Sequence, residues 1–255
     1  MAVAVVEIKD GVKCLDNDGM ENRLIMDHLN LIVKPGEFIT VLGGNGAGKS
    51  TLFNSIAGNL TLSSGDIFMK GQNVTHQKEE QRSNYLARVF QDPKMGTAPR
   101  MTVAENLLVA IDRGKRRGFK RRKLKENKVY FEELCCLTGN GLEKHLDTPV
   151  GQLSGGQRQA LSLLMATTTK PDLLLLDEHT AALDPKTAKQ IMTLTQKQIE
   201  DHELTCLMIT HRMEDALVYG NRLIVLEKGK VVLDLTKEEK ENVTLTDLLE
   251  LFEGK

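Results

Sequence analysis

Short apolar runs alternate with amphipathic stretches along most of the chain, and the spacing inside each stretch says what it forms. Phe38, Ile39, Val41 and Leu42 make a near-continuous apolar run that reads as a buried strand, and Leu52, Phe53, Ile56 and Ala57 then recur at helical spacing. Residues 3–9 and 29–34 read as strands, and Leu62, Ser63, Ser64, Gly65 and Asp66 as a turn into a strand over 67–70. Residues 85–90 form another strand, after which Pro93, Gly96 and Pro99 break regular structure. Thr102 with Glu105 three residues on is a capping box that opens a helix, and the chain reads as helical from there to about Leu146. A helix over 157–168, a buried strand over 172–176, a helix from about Pro185 and a strand over 205–209 follow, then a helix around 213–218 and strands over 222–226 and 230–234. That alternation predicts an α/β fold with a parallel sheet covered on both faces, an antiparallel β region near the start and a helical region in the middle. The tail from about Lys237 reads as a short amphipathic helix.

The turn between the first buried strand and its helix carries chemistry. Gly43, Gly44, Asn45, Gly46, Ala47, Gly48, Lys49, Ser50 and Thr51 fill the pattern G-x-x-x-x-G-K-[ST]. Glycines let the backbone wrap a triphosphate so that successive N–H groups point inward, and the following helix adds its positive N-terminal end. Lys49 is then placed to reach the β- and γ-phosphates, and the Ser50 hydroxyl to ligate Mg²⁺. A glycine-rich turn that binds nothing does not call for a lysine and a hydroxyl at those two positions.

A second segment, Leu153, Ser154, Gly155, Gly156 and Gln157, could by itself be an ordinary loop with Ser154 as a helix N-cap. Its position decides. It lies between the cradle and the apolar run Leu173, Leu174, Leu175 and Leu176, which ends in Asp177 and Glu178, with Gln91 before it and His211 after the acidic pair. That order of motifs resembles an ABC-type ATPase along the whole chain. The resemblance implies a P-loop NTPase with a recombinase-like core, an antiparallel β subdomain and a helical subdomain, all in one ATPase domain over 1–255. Residues 1–92 and 158–236 are then the nucleotide-binding core with the β subdomain, 93–157 the helical subdomain with the signature motif, and 237–255 a C-terminal helix.

Read from the residues, four leucines bury the strand, so Asp177 emerges at its C-terminal edge, where open α/β sheets bind ligands. For an isolated Asp-Glu pair a solvated strand end is the bland alternative. The resemblance implies more: ATP and Mg²⁺ as cofactors, Asp177, Ser50 and Gln91 at the metal, Glu178 polarising the attacking water, and His211 contacting the γ-phosphate together with Lys49. Gln91 follows the strand and precedes a breaker, a joint through which γ-phosphate occupancy reaches the helical region. Ala181, Ala182, Leu183 and Asp184 resemble the D-loop, which runs along a subunit interface. Ser154, Gly155, Gly156 and Gln157 of one subunit then close over the γ-phosphate held by the other, so the resemblance implies an ATP-dependent homodimer. His28, His76, His145, His179 and His202 have no motif context and read as polar surface residues, although His179 stands where many relatives carry proline.

Composition narrows the setting. The 255 residues suffice for one large domain, and no apolar run of about 18 residues is present. The start lacks the basic flank and length of a signal peptide, so the expectation is a chain that neither spans a membrane nor is exported. Cys14, Cys135, Cys136 and Cys206 show no C-x-x-C spacing, which fits a reduced cytosol. A net charge of −1 offers no global field for nucleic acid. The most basic stretch is residues 113–123, read as a solvated face or as a contact with anionic headgroups or a permease loop; its single aromatic, Phe119, gives no stacking platform for nucleic acid.

Family members usually place an aromatic ring some thirty residues before the cradle lysine to stack on adenine, yet residues 1–37 contain no Phe, Tyr or Trp. Cys14 or Leu15 occupies that slot. The function implied is the cytoplasmic ATPase subunit of a transporter, peripheral on the inner face of the membrane through permease subunits and served indirectly by a substrate-binding protein. Import of a small solute such as an amino acid, tryptophan among the candidates, is the expected direction. The alternative is a non-transport ABC ATPase acting on nucleic acid or ribosomes; those usually carry tandem ATPase domains, coiled coils or zinc modules, none of which this sequence contains.

Overall fold

The computed structural model describes residues 3–17, 20–115 and 123–253. The chain divides into two compact units, Met1–Arg82 with Leu204–Lys255, and Ser83–Glu203. The first unit opens with β1 (Val6–Asn17) and β2 (Met20–Val33), then β3 (Phe38–Gly43), α1 (Lys49–Ala57), β4 (Ser64–Met69), β5 (Gln72–Asn73) and α2 (Glu79–Arg82). The second holds β6 (Leu86–Val89), α3 (Val103–Ile111), α4 (Lys128–Cys136), α5 (Gly155–Thr167), β7 (Leu173–Asp177) and α6 (Pro185–His202). The chain then returns to the first with β8 (Cys206–Ile209), α7 (Met213–Val218), β9 (Arg222–Glu227), β10 (Lys230–Thr236), α8 (Lys237–Lys240) and α9 (Leu245–Glu253).

In the first unit an antiparallel sheet runs β2-β1-β4-β5, and β3 pairs in parallel with both β8 and β9. All of β3 up to Leu42 is buried, Thr40 included, as its near-continuous apolar run requires of a strand covered on two faces. α1 buries Leu52, Phe53, Ile56 and Ala57, each apolar side chain of the larger kind contributing about 1.5–3 kcal/mol. Arg82, 1 % exposed, donates from Nη1 to the carbonyls of Ser55 and Ile56 at 2.7 Å each. A cation there satisfies the orphan carbonyls at the end of α1 and complements the negative end of its dipole.

In the second unit β6 and β7 pair in parallel from Leu86 opposite Leu173 to Val89 opposite Leu176. Val103 and Leu107 of α3, Phe131 and Leu134 of α4, and Leu161 and Leu164 of α5 pack into one core. The Thr102 capping box forms as its sequence predicts, with Glu105 N–H donating to the hydroxyl at 3.2 Å and Thr102 N–H to the carboxylate at 2.9 Å.

Four sequence expectations are corrected. β1 and β2 are far longer than 3–9 and 29–34: Asp10 and His28, each at φ 50°, and register shifts on both sides of Gly11 break the two-residue alternation by which a strand is recognised. Helix does not continue to Leu146, because α3 stops at Ile111 and α4 at Cys136, and Gly139 and Gly141 sit at φ 61° and 81° before a 3₁₀ turn over Leu142–His145. The tail is two helices, since Thr244 N–H donates to the Asp247 carboxylate at 2.7 Å and starts α9 afresh. Of the basic stretch 113–123, residues 116–122 lie outside the described residues. Arg113 is no solvated basic residue: it is partly buried, donates to Ala166 O and Thr169 Oγ1, and its pKa is lowered by burial.

Candidate active site

β3 delivers the chain to the glycine loop at Gly43 and α1 takes it up at Lys49. Two glycines are dictated by backbone geometry. Gly46 and Gly48 sit at φ 77° and 103°, and a Cβ on Gly48 would lie 2.9 Å from Ile25 O. Gly44, Asn45, Gly46 and Ser50 are exposed, while Ala47 is buried and its carbonyl accepts from Gly229 N–H at 3.0 Å, which fastens the loop to the β9–β10 hairpin. Lys49 Nζ donates to the carbonyls of Gly43 at 2.6 Å and Gly44 at 3.0 Å, so its charge is held over the loop. With the first-turn N–H groups of α1, to which Thr51 also belongs, these form an open, positively polarised cradle.

His211 follows β8 by two residues, and Thr210 N–H donates to Val41 O at 3.2 Å. Because β8 runs parallel to β3, exposed His211 emerges at the same strand edge as the glycine loop. Leu15, 43 % exposed, pairs across the strands with Arg23, and Cys14 with Leu24. Directly opposed residues share a face and neighbours alternate, so Leu15 goes with Arg23 and Cys14 does not. A Cβ built on Gly46 would lie 3.3 Å from Arg23 Nη2. Arg23 was not singled out from the sequence; strand register, the signal that finds it, was obscured by the irregular pairing of β1.

In the second unit Asp177 ends β7 and Glu178 follows at φ 45°, both partly buried. Arg88 Nη2 lies 2.5 Å from Asp177 Oδ2, and its guanidinium stacks 4.7 Å from the centre of the Phe90 ring. Gln91, exposed, leaves β6 at the edge where Asp177 leaves β7, and Gln159 Nε2 of α5 donates to Phe90 O at 3.3 Å. Ser154 caps α5 through a reciprocal pair with Gln157, both bonds 3.2 Å. A Cβ on Gly156 would meet Thr187 Cγ2 at 2.4 Å, so the glycine lets the starts of α5 and α6 touch, and Gly155 faces Leu183. Asp184 caps α6 by accepting from Thr187 N–H at 3.1 Å, and its hydrogen bonds with Thr187 lower its pKa.

His179 overturns its reading as a polar surface residue. It is 2 % exposed, its Nε2 lies 3.0 Å from Thr195 Oγ1, and burial lowers its pKa to about 4, so the ring is neutral. Four leucines before the acidic pair predicted burial of the strand, but nothing in a lone histidine announces that the turn after it folds inward.

Among the described residues no cluster of three or more His, Cys, Asp and Glu could hold a metal ion. Mg²⁺ prefers a few protein oxygens with water and substrate phosphates; in the first unit the exposed Ser50 residue carries a hydroxyl, and in the second the Gln91 amide and Asp177 carboxylate leave paired strands at one edge. Oxygen donors of this kind, few in each unit, suit a cation borne by a nucleotide rather than one caged by protein.

Residues 26–181 match the family model described as ABC transporter. The chain belongs to that family. A tyrosine transport ATP-binding protein of Clostridioides difficile (strain R20291) is 45 % identical over 249 residues, covering 98 % of this chain and 99 % of the relative. A spermidine/putrescine import ATP-binding protein of Pasteurella multocida (strain Pm70) is 34 % identical over 86 % of this chain, which spans only 56 % of that protein's length. Among solved structures, a dimeric ATP-binding cassette in a post-hydrolysis state with ADP and Pi superposes with a TM-score of 0.75 at 27 % identity, covering 91 % of this chain and 98 % of that one. This chain is thus an ABC-type P-loop ATPase that binds ATP with Mg²⁺ and hydrolyses it to power a transporter. ATPases of this family form dimers and work with membrane permease components. No helix among the described residues is long and apolar enough to cross a membrane.

Proposed function

We propose that this ATPase drives uptake of an amino acid, with aromatic amino acids the foremost candidates. The observation that carries the reading is the 45 % identity to a tyrosine transport ATP-binding protein, which extends over essentially both chains. The import direction draws on the spermidine/putrescine import relative. On this reading the ATPase sits at the inner face of the cell membrane through its permease subunits, and a substrate-binding protein delivers the amino acid outside. Residues 93–157 act as the helical subdomain that follows the nucleotide state.

The glycine-loop N–H groups and Lys49 bind the β- and γ-phosphates, and Ser50, Gln91 and Asp177 serve the magnesium ion. Glu178 accepts a proton from the attacking water, His211 donates to the γ-phosphate, and Ser154 with Gly156 closes the nucleotide bound by the partner subunit. Asp184 lies on the D-loop between subunits. Magnesium bound with the nucleotide supplies neutralisation of charge developing on the phosphate oxygens.

Uptake of labelled tyrosine, tryptophan and phenylalanine by cells lacking this gene tests the proposal. At least one rate should fall by about tenfold or more, return with the wild-type chain and stay low with Glu178→Gln, and the chain should co-purify with a multi-span membrane protein. Unchanged uptake of all three, with unchanged uptake of other amino acids, overturns it.

A further inference from the structure

Glu178 needs its carboxylate aimed, yet its backbone is in the left-handed region at φ 45°, which a residue with a side chain rarely adopts. Something must hold the turn. Its carbonyl accepts from Ala181 N–H at 2.9 Å, which closes a turn with His179 next in line. The His179 ring is buried and meets Thr195 Oγ1 at 3.0 Å. Thr195 is fully buried on α6, and its single hydroxyl proton goes to Ile191 O at 2.8 Å. Its oxygen is therefore the acceptor, and His179 must carry its proton on Nε2.

α6 is a firm anchor for such a bond. It is 18 residues long, is capped by Asp184 at the far end of the same loop, and is tied to α5 where Thr167 Oγ1 meets Gln198 Oε1 at 2.9 Å. The loop after β7 is thus fixed to one helix at both ends. We infer that His179 and Thr195 form a positioning pair whose hydrogen bond sets the direction of the Glu178 carboxylate for hydrolysis. The inference rests on the ATPase reading of Glu178 given above. Neither side chain touches the reacting atoms; each acts through the turn.

The test compares Thr195→Val, Thr195→Ser and His179→Gln in the full-length chain, by steady-state and single-turnover ATP hydrolysis, fluorescent-nucleotide binding and thermal melting. Valine keeps the volume and loses the acceptor, serine keeps the acceptor, and glutamine can place its amide N–H near the position of Nε2. Thr195→Val should lower kcat by about tenfold or more while nucleotide affinity stays within about twofold, because a small misplacement of a reacting group is costly to the chemical step alone. Thr195→Ser and His179→Gln should recover most of the rate. In a Glu178→Gln background Thr195→Val should cause no further loss, since the two changes act on one function. A Thr195→Val chain that binds nucleotide and keeps the wild-type kcat, or a loss that adds in full to that of Glu178→Gln, overturns the inference. Failure of the wild type to hydrolyse ATP, or a Glu178→Gln chain at the wild-type rate, would instead overturn the role assigned to Glu178.

Discussion

Arg88 Nη2 lies 2.5 Å from Asp177 Oδ2, with the guanidinium stacked on Phe90, so the carboxylate that ends β7 has a cationic partner from β6. Side-chain exposures of 11 % and 19 % place the pair between the surface case, worth little, and the buried case, where loss of one partner strands a charge. Arg88→Met should therefore destabilise the chain by about 1–3 kcal/mol, read as a lower urea midpoint with unchanged slope. Arg88→Lys should recover only part, because an ammonium keeps the charge but does not stack on the Phe90 ring as a flat cation. A midpoint unmoved in Arg88→Met would mean that the pair contributes nothing.

That pairing also marks where the sequence stopped being informative. Buried strands and capped helices were legible because each rests on local physics: apolar spacing for β3 and β7, a reciprocal cap at Thr102, a capping serine at Ser154, a glycine loop between strand and helix. The glycine loop was legible in the same way, as a short pattern between strand and helix, whereas the roles expected of Asp177 and Glu178 came from the order of motifs along the whole chain. Arg23, Arg88 and His179 were missed because each matters through a partner distant in sequence or across a strand pair. Arg88 reaches 89 residues along the chain and His179 16. The length of β1 was missed for a related reason, since register shifts erase the alternation that would have revealed it.

Glu178→Gln should keep nucleotide binding and lose turnover by at least about a hundredfold, because the phosphates remain cradled while the water loses its base. The ATP-bound dimer should then accumulate, visible as a shift to dimer mass on size exclusion with Mg-ATP and absent with ADP. Turnover at the wild-type rate would remove Glu178 from the mechanism.

Ser154→Arg should leave nucleotide binding by the monomer intact and stop hydrolysis. The substitution also removes the cap on α5, worth about 1 kcal/mol, so Ser154→Ala serves as the control that loses the cap without adding bulk. Mixing Ser154→Arg with Lys49→Ala chains should restore one intact composite site per mixed dimer and a measurable part of the activity. If no mixed dimer forms or none is active, the cross-subunit role of Ser154 is wrong.

Burial sorts the cysteines. Cys136 is exposed, while burial pushes the Cys135 thiol up to about 12 and raises Cys206 well above its ordinary value. A thiol reagent at pH 8 should modify Cys136 within minutes and reach Cys135 and Cys206 only after unfolding. The same shift fixes a sign for stability. From about pH 8.5, where an unfolded thiol begins to ionise, up to about 12, the unfolded chain holds fewer protons than the folded one, so this contribution is lost as pH rises through that window. Labelling of all three thiols at one rate in the folded chain would contradict the buried placement.

The missing aromatic ring bears on nucleotide choice. Leu15 and Arg23 share the strand face on which Arg23 approaches the glycine loop, whereas Cys14 points to the other face. An aliphatic side chain covers a base without the geometry of ring stacking, so the triphosphate should dominate binding, and GTP should compete with ATP to within about tenfold, or 1.4 kcal/mol. Leu15→Tyr should tighten ATP binding by an amount of the order of one stacking contact, about 1 kcal/mol, and Cys14→Tyr should not. Competition of both nucleotides against a fluorescent analogue, in wild type and the two variants, decides the matter. A wild-type preference for ATP above a hundredfold, or a gain in Cys14→Tyr alone, would mean that the base lies on a different face from the one shared by Leu15 and Arg23.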